Sequence, residues 1–81
     1  MITLSDGREI EYDWTKTTQR EYLKLFDKTL DRNEVAHALM AKVTGMSVDE
    51  LLDINPIDFS RIEVGMVNSY KEHTDFSNVK N

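Results

Sequence analysis

Glu34 and His37 stand one helical turn apart, which is half of the Glu-x-x-His arrangement that carboxylate-bridged metal sites assemble from facing helices. The other half is missing, and a metal needs several converging donors, so His37 reads as a partly exposed helix residue. His73, close to the end of the chain, is a weaker candidate still. There is no cysteine, which removes thiolate nucleophiles, thiolate zinc sites and disulfides together. The serines, Ser5, Ser47, Ser60, Ser69 and Ser77, sit in no strand-to-helix elbow, and each has an ordinary capping or surface role open to it. Asp49, Glu50, Asp53 and Asp58 could in principle share acid and base work. That would require burial to shift a pKa, and 81 residues leave little room for a pocket of roughly 300 Å³ beside a core. The expectation is a protein without catalysis, metal or cofactor.

Charge patterning points instead to contacts. Lys16, Arg20, Lys24 and Lys28 recur every fourth residue, making a basic ridge that is either a solvated face or a contact surface. The acidic residues Asp49, Glu50 and Asp53 concentrate further along, so copies could meet head to tail, basic ridge against acidic cluster. Met40, Met46 and Met66 are flexible and polarisable, suited either to a core or to varied apolar partners. These ten residues form the candidate partner-binding set. The formal charge of −5 repels phosphate backbones and disfavours nucleic acid. No apolar run approaches membrane-spanning length, and the opening residues lack the basic and apolar regions of a signal peptide, so a cytoplasmic protein is expected.

The elements that must position these residues can be read from periodicity. Ile2, Leu4, Ile10, Tyr12 and Trp14 occupy even positions around Asp6-Gly7, which predicts a β-hairpin over residues 1–14. Pairing Leu4 with Ile10 and Ile2 with Tyr12 keeps one face apolar, with a loop of three or five residues. Residues 17–72 read as helical. A first helix is capped near Thr18 with Glu21, places Tyr22, Leu23, Phe26 and Leu30 on one stripe, and ends near Leu30. A second carries Val35, Ala36, Leu39, Met40 and Val43 and stops at Gly45. Ser47 with Glu50 boxes the start of a short third helix through Leu51, Leu52 and Ile54, which Asn55-Pro56 breaks. Asp58 is expected to cap a fourth, with Phe59, Ile62, Met66 and Tyr70 facing inward. Gly65 inside it implies that something approaches the backbone closely. Residues 73–81 read as a frayed tail. The expectation is a single α+β domain over 1–81, mainly α: an N-terminal β-hairpin followed by about four short helices around one core.

The corner Thr44-Gly45-Met46-Ser47 has the outline of a DNA-binding helix-turn-helix. Its second helix would present Asp49, Glu50 and Asp53 where a DNA reader needs donors and positive charge. A small regulator of this type is therefore one alternative function, a different protein-interaction module is the other, and neither is the leading one.

Taken together, Ile2-x-Leu4-x-Asp6-Gly7 with Ile10, then Leu39 through Thr44-Gly45-Met46-Ser47, Glu50-Leu51, and Asp58-Phe59 with Ile62 resemble the small tail assembly chaperones of long-tailed bacteriophages and prophages. The resemblance implies a non-catalytic cytoplasmic protein that coats the long helical tape measure protein, prevents its aggregation and helps recruit tail tube subunits. It also implies a tendency to form homo-oligomers and absence from the mature virion. Such chaperones are often made in two lengths by frameshifting, and Val79-Lys80-Asn81 could be encoded by an A-rich slippery run.

Overall fold

The computed structural model describes residues 2–74. The hairpin comes first, with strands β1 (Ile2–Thr3) and β2 (Glu9–Ile10) antiparallel and Ile2 opposite Ile10. Leu4 and Ile10 are buried and Ile2 packs against the core with them, but the register differs from the expected pairing of Leu4 with Ile10 and Ile2 with Tyr12: Leu4 lies opposite Arg8, so that face is not wholly apolar. Leu4 N–H donates to the Arg8 carbonyl at 2.8 Å, and Gly7 N–H donates to the Leu4 carbonyl at 3.0 Å. The loop therefore holds Ser5, Asp6 and Gly7, and Gly7 takes φ +91°, the left-handed conformation that closes a three-residue hairpin loop.

The ladder stops well short of residue 14. After Ile10 the strand leaves β1, and Asp13 N–H donates to the Val43 carbonyl at 2.8 Å. A 3₁₀ turn, Trp14–Lys16, follows.

Helix α1 (Gln19–Leu23) begins with the expected capping box between Thr18 and Glu21. It is shorter than predicted and passes into a 3₁₀ turn over Lys24–Phe26. Asp27 ends it: its carboxylate accepts from Thr29 N–H at 2.9 Å, offering the backbone a turn in place of further helix. The expected stripe fails with the helix. Tyr22 and Leu25 pack inward, while Leu23, Phe26 and Leu30 are exposed.

Helix α2 (Arg32–Thr44) is capped by Asp31 and ends at Gly45, which has φ 77°. Helix α3 (Val48–Asp53) starts on the Ser47–Glu50 capping box. Helix α4 (Pro56–Thr74) is the longest. Its cap is Asn55 and not Asp58: Asp58 N–H donates to Asn55 Oδ1 at 2.9 Å, leaving Pro56 in the first helical position, where its missing N–H costs nothing. His73 and Thr74 belong to this helix, which corrects the expectation of fraying from residue 73. Residues 75–81, with the Val79-Lys80-Asn81 segment, lie outside the described residues.

The core sits where α2, α3 and α4 meet the hairpin. Leu4, Ile10, Leu39, Met40, Val43, Met46, Leu51, Ile62 and Met66 form it, with Tyr12, Trp14, Tyr22 and Phe59 packed at its margin. The fold is mainly helical with an N-terminal two-stranded hairpin and four α-helices, as the residue pattern implied.

Candidate partner-binding site

Two anchors fix the hairpin on α4 and so shape the surface between them. At the N-terminal end, Asp58 is buried and charged, which is tolerable only with its oxygens satisfied. Ser5 Oγ donates to it at 2.6 Å, Ser5 N–H at 3.1 Å and Asn55 Nδ2 at 2.9 Å. The Ser5 hydroxyl and backbone bonds hold the Asp58 carboxyl below its ordinary range, against a smaller opposing effect of burial. Further along, Tyr12 donates its hydroxyl to the Ile62 carbonyl at 2.9 Å, and burial pushes its phenol up to about 12. The ring lies over Gly65, where a Cβ would run into the Tyr12 hydroxyl and Cζ and sit 3.2 Å from Ile2 Cγ2. This is the close approach that Gly65 implied, and it comes from the hairpin's own continuation.

Anchoring β1 along α4 leaves an open groove on the outer side of the helix, about 730 Å³ in volume, lined by Ile2, Thr3, Pro56, Ile57, Arg61 and Val64 among others. Arg61 bridges its floor by donating to the Thr3 carbonyl at 3.2 Å. Ile57 and Val64 remain 71% and 59% exposed. They are spaced seven residues apart, two turns of one helix face, with exposed Val67 one turn further on. Thus α4 is apolar on two faces, one inside the core and one facing solvent. Sequence reasoning missed this outer face because the inner stripe of Phe59, Ile62, Met66 and Tyr70 accounted for the helix; the available signal was the surplus of Ile57, Val64 and Val67 beyond it.

A smaller hollow of about 430 Å³, walled by Glu11, Tyr12, Ser69, Glu72 and His73, is polar. Among the described residues, no group of His, Cys, Asp and Glu is placed to hold a metal ion. His37 meets Phe59 edge to face at 5.5 Å between ring centroids, a packing role.

The candidate residues separate into three sets. Met40, Met46 and Met66 are core side chains; α2 and α4 turn them inward, so a partner would meet other groups. Lys16, Arg20, Lys24 and Lys28 are all exposed, but they do not ride one helix. Lys16 belongs to the first 3₁₀ turn, Arg20 to α1, Lys24 to the second 3₁₀ turn, and Lys28 to the turn beyond. Asp49 and Asp53 are exposed on α3, whereas Glu50 is occupied in accepting from Ser47 N–H at 3.0 Å and approaches Arg8 at 3.8 Å. The Ser47 backbone bond lowers the Glu50 pKa.

An aromatic series ties α1 and the turns around it to α4. Trp14 meets Tyr70 edge to face at 5.1 Å, Tyr70 stacks on Tyr22 at 5.1 Å with their planes 6° apart, and Tyr22 meets Phe26 at 5.6 Å. The ion pair between Lys42 and Glu21 ties α1 to α2.

Among the described residues, no helix is long and apolar enough to cross a membrane. Compared with family models, curated proteins and solved structures, the chain gives no match.

Proposed function

We propose that this protein is a non-catalytic interaction domain, and specifically a phage or prophage tail assembly chaperone that keeps the tape measure protein soluble in the cytoplasm of the host cell. The observation that carries this reading is the second apolar face of α4, with Ile57 and Val64 exposed beside the groove along β1. A long helical client presents apolar side chains every three or four residues, and such a stripe lies naturally in a shallow apolar groove flanked by polar groups. Fully burying a Val or Ile side chain contributes about 1.5–3 kcal/mol. A few such contacts, less the cost of association, give weak, reversible holding, which suits a protein that must release its client and stay out of the finished particle. Recruitment of tail tube subunits belongs to the same reading, and a frameshifted longer form would be its natural agent.

Co-expression with the tape measure gene encoded nearby is the test. The client should move from the insoluble to the soluble fraction, and Ile57→Asp with Val64→Asp should abolish the gain. Unchanged client solubility with the unaltered protein contradicts the proposal. The alternative regulator reading draws on the α2–Gly45–α3 corner; specific retardation of the surrounding genomic DNA in a mobility-shift assay would favour it.

A further inference from the structure

The chain has no cysteine, and Met40, Met46 and Met66 are buried, so the sulfur groups that oxidants attack first are absent or shielded at these positions. Oxidation then falls on the aromatic side chains that solvent reaches. Tyr22 on α1 and Tyr70 on α4 are both half-buried, and they stack face to face at 5.1 Å between ring centroids with planes 6° apart. Hydrogen bonding with the Tyr70 hydroxyl, and then burial, pushes the Tyr22 phenol up. The two oxygens therefore lie at the same end of the stack, and with them the ring carbons ortho to each hydroxyl. Half-buried Trp14 meets Tyr70 edge to face at 5.1 Å, so an electron lost from the indole can be replaced from the pair. Tyr12 is the third tyrosine of the chain and stands apart, its hydroxyl donated to the Ile62 carbonyl.

We propose that Tyr22 and Tyr70 form an oxidative cross-linking site, joined as dityrosine within one copy of the chain by a one-electron oxidant of the haem peroxidase class with hydrogen peroxide. Each phenol gives one electron to the oxidant and its hydroxyl proton to water, leaving two tyrosyl radicals. Their unpaired electrons form a carbon–carbon bond between the ortho ring carbons. The hydrogens on those two carbons then move to the phenol oxygens, which restores both aromatic rings. The protein loses two electrons and two protons in all, and one hydrogen peroxide takes them up to become two waters. Because the fold holds the rings against each other, they couple at an effective concentration far above that of a second copy. The new bond fastens α1 to α4 and joins residues distant in sequence, which restricts the unfolded chain as other covalent staples do. This site uses neither the α4 groove nor a client, and so stands apart from the proposed function.

Treating the whole chain with a small haem peptide and hydrogen peroxide, followed by fluorescence and mass spectrometry, tests it. The single-chain product should show dityrosine emission and a mass lower by two hydrogens, at a yield that does not fall on dilution. Trypsin should release residues 21–24 joined to residues 62–71. Tyr22→Phe and Tyr70→Phe, which keep the stacked rings, should each abolish the joined peptide with unchanged helical circular dichroism, whereas Tyr12→Phe should leave it in place. Concentrated urea during oxidation should also abolish it, because the fold supplies the proximity. The cross-linked chain should melt at a higher temperature than the untreated one. If either stacking variant loses helical signal, the peptide map of the unaltered chain decides alone. Dityrosine found only between copies, a joined peptide from another pair of tyrosines, or no dityrosine in the folded chain would each overturn the proposal.

Discussion

The hydroxyl end of Tyr12 occupies the space a side chain at Gly65 would take, and that hydroxyl donates to the Ile62 carbonyl at 2.9 Å three residues earlier in the same helix. A glycine in mid-helix ordinarily costs about 0.5–1 kcal/mol relative to Ala. Here the absent side chain is what lets the segment after the hairpin reach α4. Gly65→Ala should therefore destabilise by about 1–3 kcal/mol, as overpacking does, instead of gaining helix propensity. Urea unfolding should show Tyr12→Phe recovering part of the loss, since it removes the atom most in the way. Additive single effects would mean that the two residues do not compete for that space.

Gly45 makes the contrasting case. It holds φ 77° at the end of α2, yet a Cβ there would meet nothing within 4 Å. Gly45→Ala should cost roughly 1–2 kcal/mol for the left-handed backbone alone. No second-site substitution should rescue it, and unfolding curves of Gly45→Ala paired with neighbouring small residues would check this.

Acid should loosen the Ser5–Asp58 anchor. The Asp58 pKa is lowered in the folded chain by the Ser5 and Asn55 bonds, so its stabilising contribution is fully present above the unfolded carboxylate value. That contribution is lost as pH falls through the lower folded value. Thermal unfolding between pH 6 and 2 should show stability decreasing below about pH 4. Asp58→Asn should be less stable than the parent at neutral pH and show a flatter decline. Asp6, Asp13, Glu21, Asp27 and Glu50 are also lowered, each by its own hydrogen bonds, so the decline should be reduced in the variant and not removed.

Substitutions in the core and on the outer faces should behave differently. Ile62 and Leu51 are fully buried, and truncating either to Ala should cost about 2–5 kcal/mol, most of the stability of a domain holding about 5 kcal/mol. Ile57→Ser and Leu52→Ser lie outside the core and should shift stability by about 0.5 kcal/mol or less. Circular dichroism melts of these four variants would separate the groups.

How much of this was legible depended on how local the cause was. The boxes Thr18–Glu21 and Ser47–Glu50 and the Gly45 stop each rest on groups within a few residues, so residue types and spacing reveal them. The first helix misled because Leu23, Phe26 and Leu30 keep helical spacing through a stretch where the backbone tightens to 3₁₀ and then turns at Asp27. Once the pitch changes, spacing no longer specifies a face, and stacking of Tyr22 on Tyr70, distant in sequence, decides which residues point in. Asp58 misled for a related reason. Asn55 takes the cap, freeing Asp58 for Ser5, 53 residues away, a partner no local pattern announces. Of the candidate surface, the charged residues were legible as exposed, whereas the outer face of α4 emerged only once the inner one was full.

On the proposed function, the outward face of α4, beside β1, receives an apolar helix. Methyl NMR of the Ile, Leu and Val side chains tests it most directly, by titrating the protein with a synthetic peptide from an apolar helical stretch of the neighbouring tape measure protein. Saturable shifts are expected at Ile2, Ile57, Val64 and Val67, with Leu51 and Val43 in the core little changed. Saturable shifts confined to Leu23, Leu30 and Leu52, or no shifts at millimolar peptide, would contradict it.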